Sequence, residues 1–433
     1  MKDDPGTPLS KFARTRVAGV TAAKIGAKRL GLLSKRPFLS HENYRLAIEK
    51  HENDSAEALF KALTRLRGTA LKMAQILSLE MGFLPEAYSK ELQKSHYRVP
   101  PLNRAVVRKL IINELGSELG KTPEEIFSTF EADAFAAASL GQVHRATSKQ
   151  GAKLAVKVQY PGMDRVLKND LELVKNYFVP FLRSDYITRA TEEIETRLIE
   201  EIDYNREGET TEWFRKSLKL KNVIIPKLFP EFSSKAILST EFISGLHLDQ
   251  WLETSPSQEE KDQAAQTLWE LFAHCFFELG RMHCDSNPGN YLFLGNGKIG
   301  LIDFGAVRAY DAKMTSAMAR LWRGHIRGDR AEEKEMYIQL GVKGEIFDAR
   351  YEIHYKPFGD WIALPFQKDS FDFKEHPSYA EIGLKVAQNS VVGKSVEGFT
   401  SDFVMLDRNL YGLFRIFGKL GAKLRFQNEW LYR

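Results

Sequence analysis

Two carboxylates and an amide at fixed spacing constrain this 433-residue chain more than any other feature. In the run His283-Cys284-Asp285-Ser286-Asn287-Pro288-Gly289-Asn290, a carboxylate precedes an amide by one short loop. Asp303-Phe304-Gly305 then follows a hydrophobic strand, 298–302, in a segment that Gly and Asn punctuate as a hairpin. Moving a phosphoryl group demands such a set. One carboxylate orients the attacking or accepting oxygen, and further oxygen ligands hold magnesium against phosphates. Asp285 fits the first role, and Asn290 and Asp303 the second.

The protein-kinase catalytic loop writes this pattern as H-R-D, then Asn, then a later D-F-G. A site of that kind also needs a strand lysine for the phosphates, after a loop that covers them. Leu154-Ala155-Val156-Lys157 supplies the lysine, in a hairpin predicted over about 141–147 and 153–160 with a Ser-Lys-Gln-Gly turn. Taken alone, Lys157 is equally a surface strand lysine. The preceding loop reads Ala136-Ala137-Ala138-Ser139-Leu140-Gly141-Gln142 where a glycine-rich one is expected. Methyl groups in place of hydrogens restrict φ and the approach of backbone N–H groups to phosphate, so nucleotide should be held differently here. Among the acids of 200–207, Glu207 is the chosen ion-pair partner of Lys157. Thr240-Glu241-Phe242-Ile243 resembles a kinase hinge, where adenine would meet the backbone of Glu241 and Ile243; a plain strand end is the alternative.

Apolar periodicity organises the rest. Leu59, Leu63, Leu66, Ala70, Met73 and Leu77 predict a long helix over 55–80, with Lys61, Arg65, Lys72 and Gln75 on its opposite side. A second helix should run to about 117, an acidic helical region over 189–215, and a strand over 236–242. Ser255 as N-cap, Pro256 and Gln258 predict the start of a buried helix that ends near Gly280. From Asp311 onward the chain reads as mostly helical, with a break around Pro357–Pro365 and an apolar helix over 403–417.

Lys72-Met73-Ala74-Gln75, the alanine-rich AAASLGQVH, AVKVQYPG, the pair Glu201 and Asp203, H-x-D-x-x-P-G-N and D-F-G together resemble the AarF/UbiB atypical kinase-like family, linked to ubiquinone biosynthesis. The resemblance covers roughly residues 55–310, and 403–422 is similar to the family's C-terminal end. It implies an α+β, bilobal kinase-like fold with an N-terminal helical extension and a mostly helical C-lobe. The expected division is a basic arm (1–54), a helical extension (55–130), an N-lobe (131–245) and a C-lobe (246–433). It also implies ATP and Mg2+ binding, with ATPase activity and suppressed protein phosphorylation. Lys72 and Gln75 would then lie over the site, with Lys72 contacting Glu201 and Asp203. The Gly of the family's K-x-G-Q is Ala74 here.

Two absences agree. Cys284 replaces the Arg of H-R-D, so an activation-loop phosphate has no partner there, and no A-P-E follows Asp303-Phe304-Gly305. An ATP-dependent atypical kinase or ATPase is the leading expectation, serving an isoprenoid lipid or quinone precursor. A nucleotide-gated scaffold without catalysis is the alternative.

The formal net charge of +5 is local. Nine Lys and Arg against two Asp fall within residues 1–36, leaving the remainder slightly acidic, so no nucleic-acid footprint is expected. Residues 11–36, free of acids, are compatible with a transit peptide, a solvated arm or a helix on an anionic membrane surface. Two cysteines suggest a reducing, intracellular compartment, and no uncharged run is long enough to span a bilayer.

Overall fold

Alternating Leu154, Val156 and Val158 demand a strand with one buried face, and the computed structural model supplies it. The structure describes residues 11–40, individual positions between 42 and 62, and residues 102–116, 122–138, 140–177, 195, 198–392 and 401–427. Two compact units divide the chain: residues 1–205 with 230–239, and residues 206–229 with 240–433. Phe214 and Ile225 belong to the apolar core of the second unit.

The first unit is built on a sheet of β1 (Phe127–Phe130), β2 (Ala136–Ala138), β3 (Gly141–Ser148), β4 (Lys153–Gln159) and β6 (Ile237–Glu241). Its order is β1-β3-β4-β6, with β2 folded back on β3. The predicted hairpin is present as β3–β4, turned through Gly151 at φ +85°. The alanine-rich stretch, expected to be a loop, is a strand for three residues: Ala136, Ala137 and Ala138 pair with Val143, Gln142 and Gly141. Gly141 allows this tight return, since a Cβ there would lie 2.4 Å from the Val158 carbonyl oxygen.

A buried polar chain ties the segment ahead of α2 (Arg104–Ile111) to this hairpin. The Leu102 N–H donates to Gln142 Oε1 at 2.8 Å, Gln142 Nε2 lies 2.7 Å from His144 Nε2, and His144 Nδ1 lies 2.8 Å from the Glu131 carbonyl. A carbonyl can only accept, so Nδ1 carries the proton and Nε2 accepts from Gln142.

Residues expected to form a basic arm include helix α1 (Lys11–Lys35), which buries Ala18, Ala22 and Ile25 and packs beside α4 (Met163–Tyr177). The short helix α3 (Pro123–Ile126) leads into β1. The acidic region is not continuous: residues 198–201 are helical, Ile202 and Asp203 turn, and α5 (Tyr204–Ser217) restarts.

In the second unit, α6 (Leu248–Glu253) runs to Thr254, and Ser255 adopts φ +55°. That left-handed backbone cannot enter a helix. The cap of α7 (Gln258–Ala273) is therefore Ser257, two residues later than expected, with Glu260 reaching back to the Ser257 N–H at 2.9 Å. The helix widens into one π turn, His274–Glu278, before Gly280. Trp269 of α7 stacks on Phe272, meets Trp322 of α8 (Ala312–Arg327) and is tilted against Phe426, giving the core a large aromatic payload. After α9 (Arg330–Gln339) and α10 (Gly344–Arg350), no break occurs at Pro357: α10 passes through a π turn, Tyr351–Tyr355, directly into α11 (Lys356–Ala363), and Pro357 lies just after that turn. Then come α12 (Tyr379–Val392) and α13 (Ser401–Leu420).

Burial lowers the His144 pKa in the folded chain. The unfolded state therefore takes up the proton first, and the contribution is intact above the ordinary histidine pKa of about 6.5 and lost as pH falls through the depressed folded value. Urea melts between pH 7.5 and 5 should show stability declining on acidification, less steeply in His144→Gln; identical slopes would exclude this histidine as the source.

Candidate active site

The loop Asp285–Asn290 is closed by its own sequence. Asp285 Oδ1 accepts from the Asn287 N–H at 3.2 Å, Asn287 Oδ1 accepts from the Gly289 N–H at 2.9 Å, and Pro288 opens a 3-10 turn through Asn290. Asn290 Nδ2 donates to both the carboxylate and the carbonyl of Asp285, each at 3.1 Å. That commitment leaves Asn290 Oδ1 as the amide's ligand atom.

Two short ladders then clamp the carboxylates' neighbours. In the hairpin of β8 (Tyr291–Phe293) and β9 (Ile299–Leu301), Tyr291 opposes Leu301, and the Ile302 N–H donates to the Asn290 carbonyl at 3.1 Å. In the ribbon of β7 (Arg281–His283) and β10 (Val307–Ala309), His283 opposes Val307, and the Cys284 N–H donates to the Ala306 carbonyl at 2.8 Å. The chain just before Asp285 is thus joined to the chain just after Gly305, and Asn290 to the residue just before Asp303. β5 (Val223–Ile224) runs parallel to β9, and Leu246 bridges β8 on its other side.

Phe304 of the D-F-G is buried and packs between Phe214 of α5 at 5.2 Å and the His283 ring at 6.2 Å. The Gly305 N–H donates to Asp303 Oδ1 at 3.1 Å, which orients that carboxylate. Below the loop, burial, with a smaller contribution from the Asp285 carboxylate, raises the Tyr291 pKa above its ordinary value. Burial alone pushes the Cys275 thiol up to about 12, so it is a structural thiol. The Cys284 thiol donates to the Met282 carbonyl and points into the core.

In the first unit, β4 carries Lys157 on the face opposite its buried Leu154, Val156 and Val158. Val143 of β3 pairs with both Ala136 and Lys157, which places the alanine strand and the lysine in one line across the sheet. The Lys157 ammonium stands 4.9 Å from the centre of the Tyr204 ring. Two residues along the same face, Gln159 Nε2 donates to the Ile202 carbonyl at 2.8 Å. The turn flanked by Glu201 and Asp203 is therefore pinned to the lysine's side of the sheet. Asp203 also caps the restart of α5 by accepting from the Asn205 N–H at 3.1 Å. Glu207 is buried in the first turn of α5.

At the hinge-like stretch, the Glu241 N–H is already committed to the Lys227 carbonyl at 2.8 Å. Contact with adenine at Glu241 would thus fall to its carbonyl, while Ile243 packs its side chain over Gly300. Lys72, Gln75 and Ser139 lie outside the described residues. Sequence reasoning missed Tyr204, the Gln142–His144 chain, and Asn409 and Gly412 of α13. For Asn409 the available signal was a polar residue within an apolar helical stripe.

The oxygen-only character of Asn290 and Asp303 fits magnesium, a hard cation that takes few protein ligands and shares the rest with phosphate and water. Among the described residues no group of three or more His, Cys, Asp and Glu side chains is placed to hold a metal ion by itself.

The family description "ABC1 atypical kinase-like domain" matches residues 94–337, more than half of the chain. The chain belongs to this family. The AarF/UbiB resemblance and the α+β kinase-like fold are thereby established. A probable serine/threonine-protein kinase, abkA, of Dictyostelium discoideum is 28% identical over 77% of this chain and 62% of its own length. The mitochondrial atypical kinase COQ8B of Danio rerio is 27% identical over 96% of this chain and 65% of its own. The chain thus spans somewhat less than two thirds of these relatives. The solved Rv3197–erythromycin complex of Mycobacterium tuberculosis shares the fold, with a TM-score of 0.60, 24% identity, and coverage of 88% of this chain and 96% of that one.

Proposed function

We propose that this chain is an ATP- and magnesium-dependent atypical kinase or ATPase. The double clamp that brings the flanks of Asp285, Asn290 and Asp303 together carries the reading, because phosphoryl transfer relies on positioning and charge stabilisation. Asp285, held by Asn287 and Asn290, orients the attacking water or acceptor hydroxyl. Asn290 Oδ1 and Asp303 hold magnesium, which when bound neutralises charge developing on the phosphates. Lys157 serves the phosphates and takes Glu207 as its ion-pair partner, Ala136, Ala137, Ala138 and Ser139 cover the nucleotide, and Glu241 and Ile243 meet the adenine. Lys72, Gln75, Glu201 and Asp203 restrain access to the site.

Turnover would support the metabolism of ubiquinone or another isoprenoid lipid, on the strength of the family resemblance and the COQ8B relative. Membrane contact falls to α1. It has no acidic residue in its 25 residues, exposes Leu30 and Leu33 at 70% and 47%, and carries Lys24, Lys28 and Arg29 alongside. No helix among the described residues is long and apolar enough to cross a membrane; the contact proposed for α1, basic and amphipathic, is one with an anionic membrane surface.

One observation favours the second reading, a nucleotide-gated scaffold. Pairing of β2 with β3 commits part of the alanine backbone to the sheet ladder, so fewer N–H groups can cradle phosphates than in a glycine-rich loop.

Phosphate release from Mg-ATP should fall about 100-fold or more in Asp285→Asn and in Lys157→Ala; unchanged release in both would sink the enzymatic reading. A thermal shift with ATP and Mg2+ but no release from the wild type would favour the scaffold. The wild-type chain should float with anionic vesicles, and Leu30→Glu combined with Leu33→Glu should abolish this while leaving Ala18, Ala22 and Ile25 packed. Equal flotation would reject α1 as the contact.

A further inference from the structure

We infer that α13, at the far end of the chain, sets the position of the catalytic loop, and that Asn409 is the positioning residue. The inference rests on the phosphotransfer reading above, and its structural part stands by itself. Residues Leu406, Leu410, Leu413, Phe414 and Phe417 form the buried stripe of α13 and belong to the core of the second unit. Asn409 lies inside that stripe and is 3% exposed. A polar side chain there is costly unless a partner requires it.

Its partner is the backbone of the catalytic loop. Asn409 Nδ2 donates to the His283 carbonyl. The amide is oriented by this contact, since its oxygen in that place would face another oxygen. The β7–β10 ladder explains why His283 needs the donor. Antiparallel bonds alternate along a pair, and the Cys284 N–H is the one bonded to Ala306. The His283 carbonyl therefore points off the open edge of a two-stranded ribbon, with α13 as the element that meets it.

One turn on, Gly412 makes a second contact. A Cβ there would lie 1.7 Å from Ser286 Oγ, so α13 touches the loop on both sides of Asp285. The contact is kept at a cost: among the described residues neither Asn409 Oδ1 nor His283 Nε2, both buried, has a hydrogen-bond partner. Elements that hold unsatisfied polar atoms for the sake of one contact mark places where geometry outranks stability. His283 Nδ1 in turn faces the Asp285 N–H at 3.4 Å, which links the braced residue to the carboxylate itself.

The experiment compares the wild-type chain with Asn409→Asp, Asn409→Leu and Gly412→Ala. Asn409→Leu removes the donor without adding an acceptor, and Asn409→Asp keeps the shape but sets a carboxylate oxygen, in place of the donor, against the His283 carbonyl. Steady-state Mg-ATP turnover should show kcat reduced about 10-fold to 100-fold, with KM for ATP within about 2-fold of wild type. Hydrogen exchange of the amides over 283–290 should be faster in the same variants. A merely structural residue would lower Tm and leave the kcat of the folded fraction unchanged, and that result overturns the proposal. If Asn409→Leu fails to fold, Asn409→Asp and Gly412→Ala decide on the same two readouts. A wild-type chain that turns over no ATP defeats the enzymatic reading alone. Exchange over 283–290 then still judges the brace, and rates equal to wild type in Asn409→Asp and Gly412→Ala reject it.

Discussion

Two backbone hydrogen bonds hold the rest of this site in place, from the Cys284 N–H to the Ala306 carbonyl and from the Ile302 N–H to the Asn290 carbonyl. Each extends a ladder of only three residues per strand, and strands that short have little stability of their own. Their register is held by what packs around them. Tyr291, Leu292, Phe293, Ile299 and Leu301 are all buried, Leu246 and β5 occupy the two outer edges of the β8–β9 hairpin, and Phe304 fills the space between Phe214 and His283. The polar loop can carry oxygen ligands at its surface because its backbone groups are satisfied underneath. A hydrophobic core thereby becomes a positioning device for carboxylates.

The first unit solves a related problem with different means. Lys157 must present a charge from a strand whose other face is core, and the sheet's period of two achieves that by itself. What surrounds it is less ordinary. The glycine expected along a phosphate-covering loop is concentrated at Gly141, where it permits the close return against Val158, and the alanines form a strand. The chemistry of the loop is thus traded for rigidity of the hairpin. Gln142 and His144, buried beside it, bind the hairpin to the segment ahead of α2 and to Glu131, so this region behaves as one hydrogen-bonded block.

Much of this was legible in the sequence where a local rule acts alone. The β3–β4 hairpin follows from alternation and a Gly turn, and the D-S-N-P-G-N loop from side chains that bond to their own backbone. The helix from Asp311 follows from an Asp that caps it by accepting from the Met314 N–H. The structure departs from the local signals where two of them compete. Ser255-Pro256 and Ser257-x-x-Glu260 both look like helix starts, and the end of α6 at Thr254 decides for the second. Pro357 looks like a breaker, yet the helix continues through it, directly after the π turn Tyr351–Tyr355. The alanine stretch has no strand signature of its own and becomes one through pairing with β3. Asn409 and His283 are 126 positions apart, and no periodicity connects them; only tertiary packing brings a mid-helix asparagine to the segment that leads into Asp285. The roles of Lys72 and Gln75 rest on the family resemblance.

The claim at the centre of this account is that the clamped loops form a joint magnesium and phosphate site. Calorimetric titration of ATP, with and without Mg2+, into the wild-type chain and into Asp303→Asn tests it most directly. Magnesium should tighten ATP binding to the wild type by about 10-fold or more, and Asp303→Asn should lose that gain while keeping the metal-free affinity. ATP binding that is equally tight without the metal, or a gain from magnesium that survives Asp303→Asn, would contradict the account.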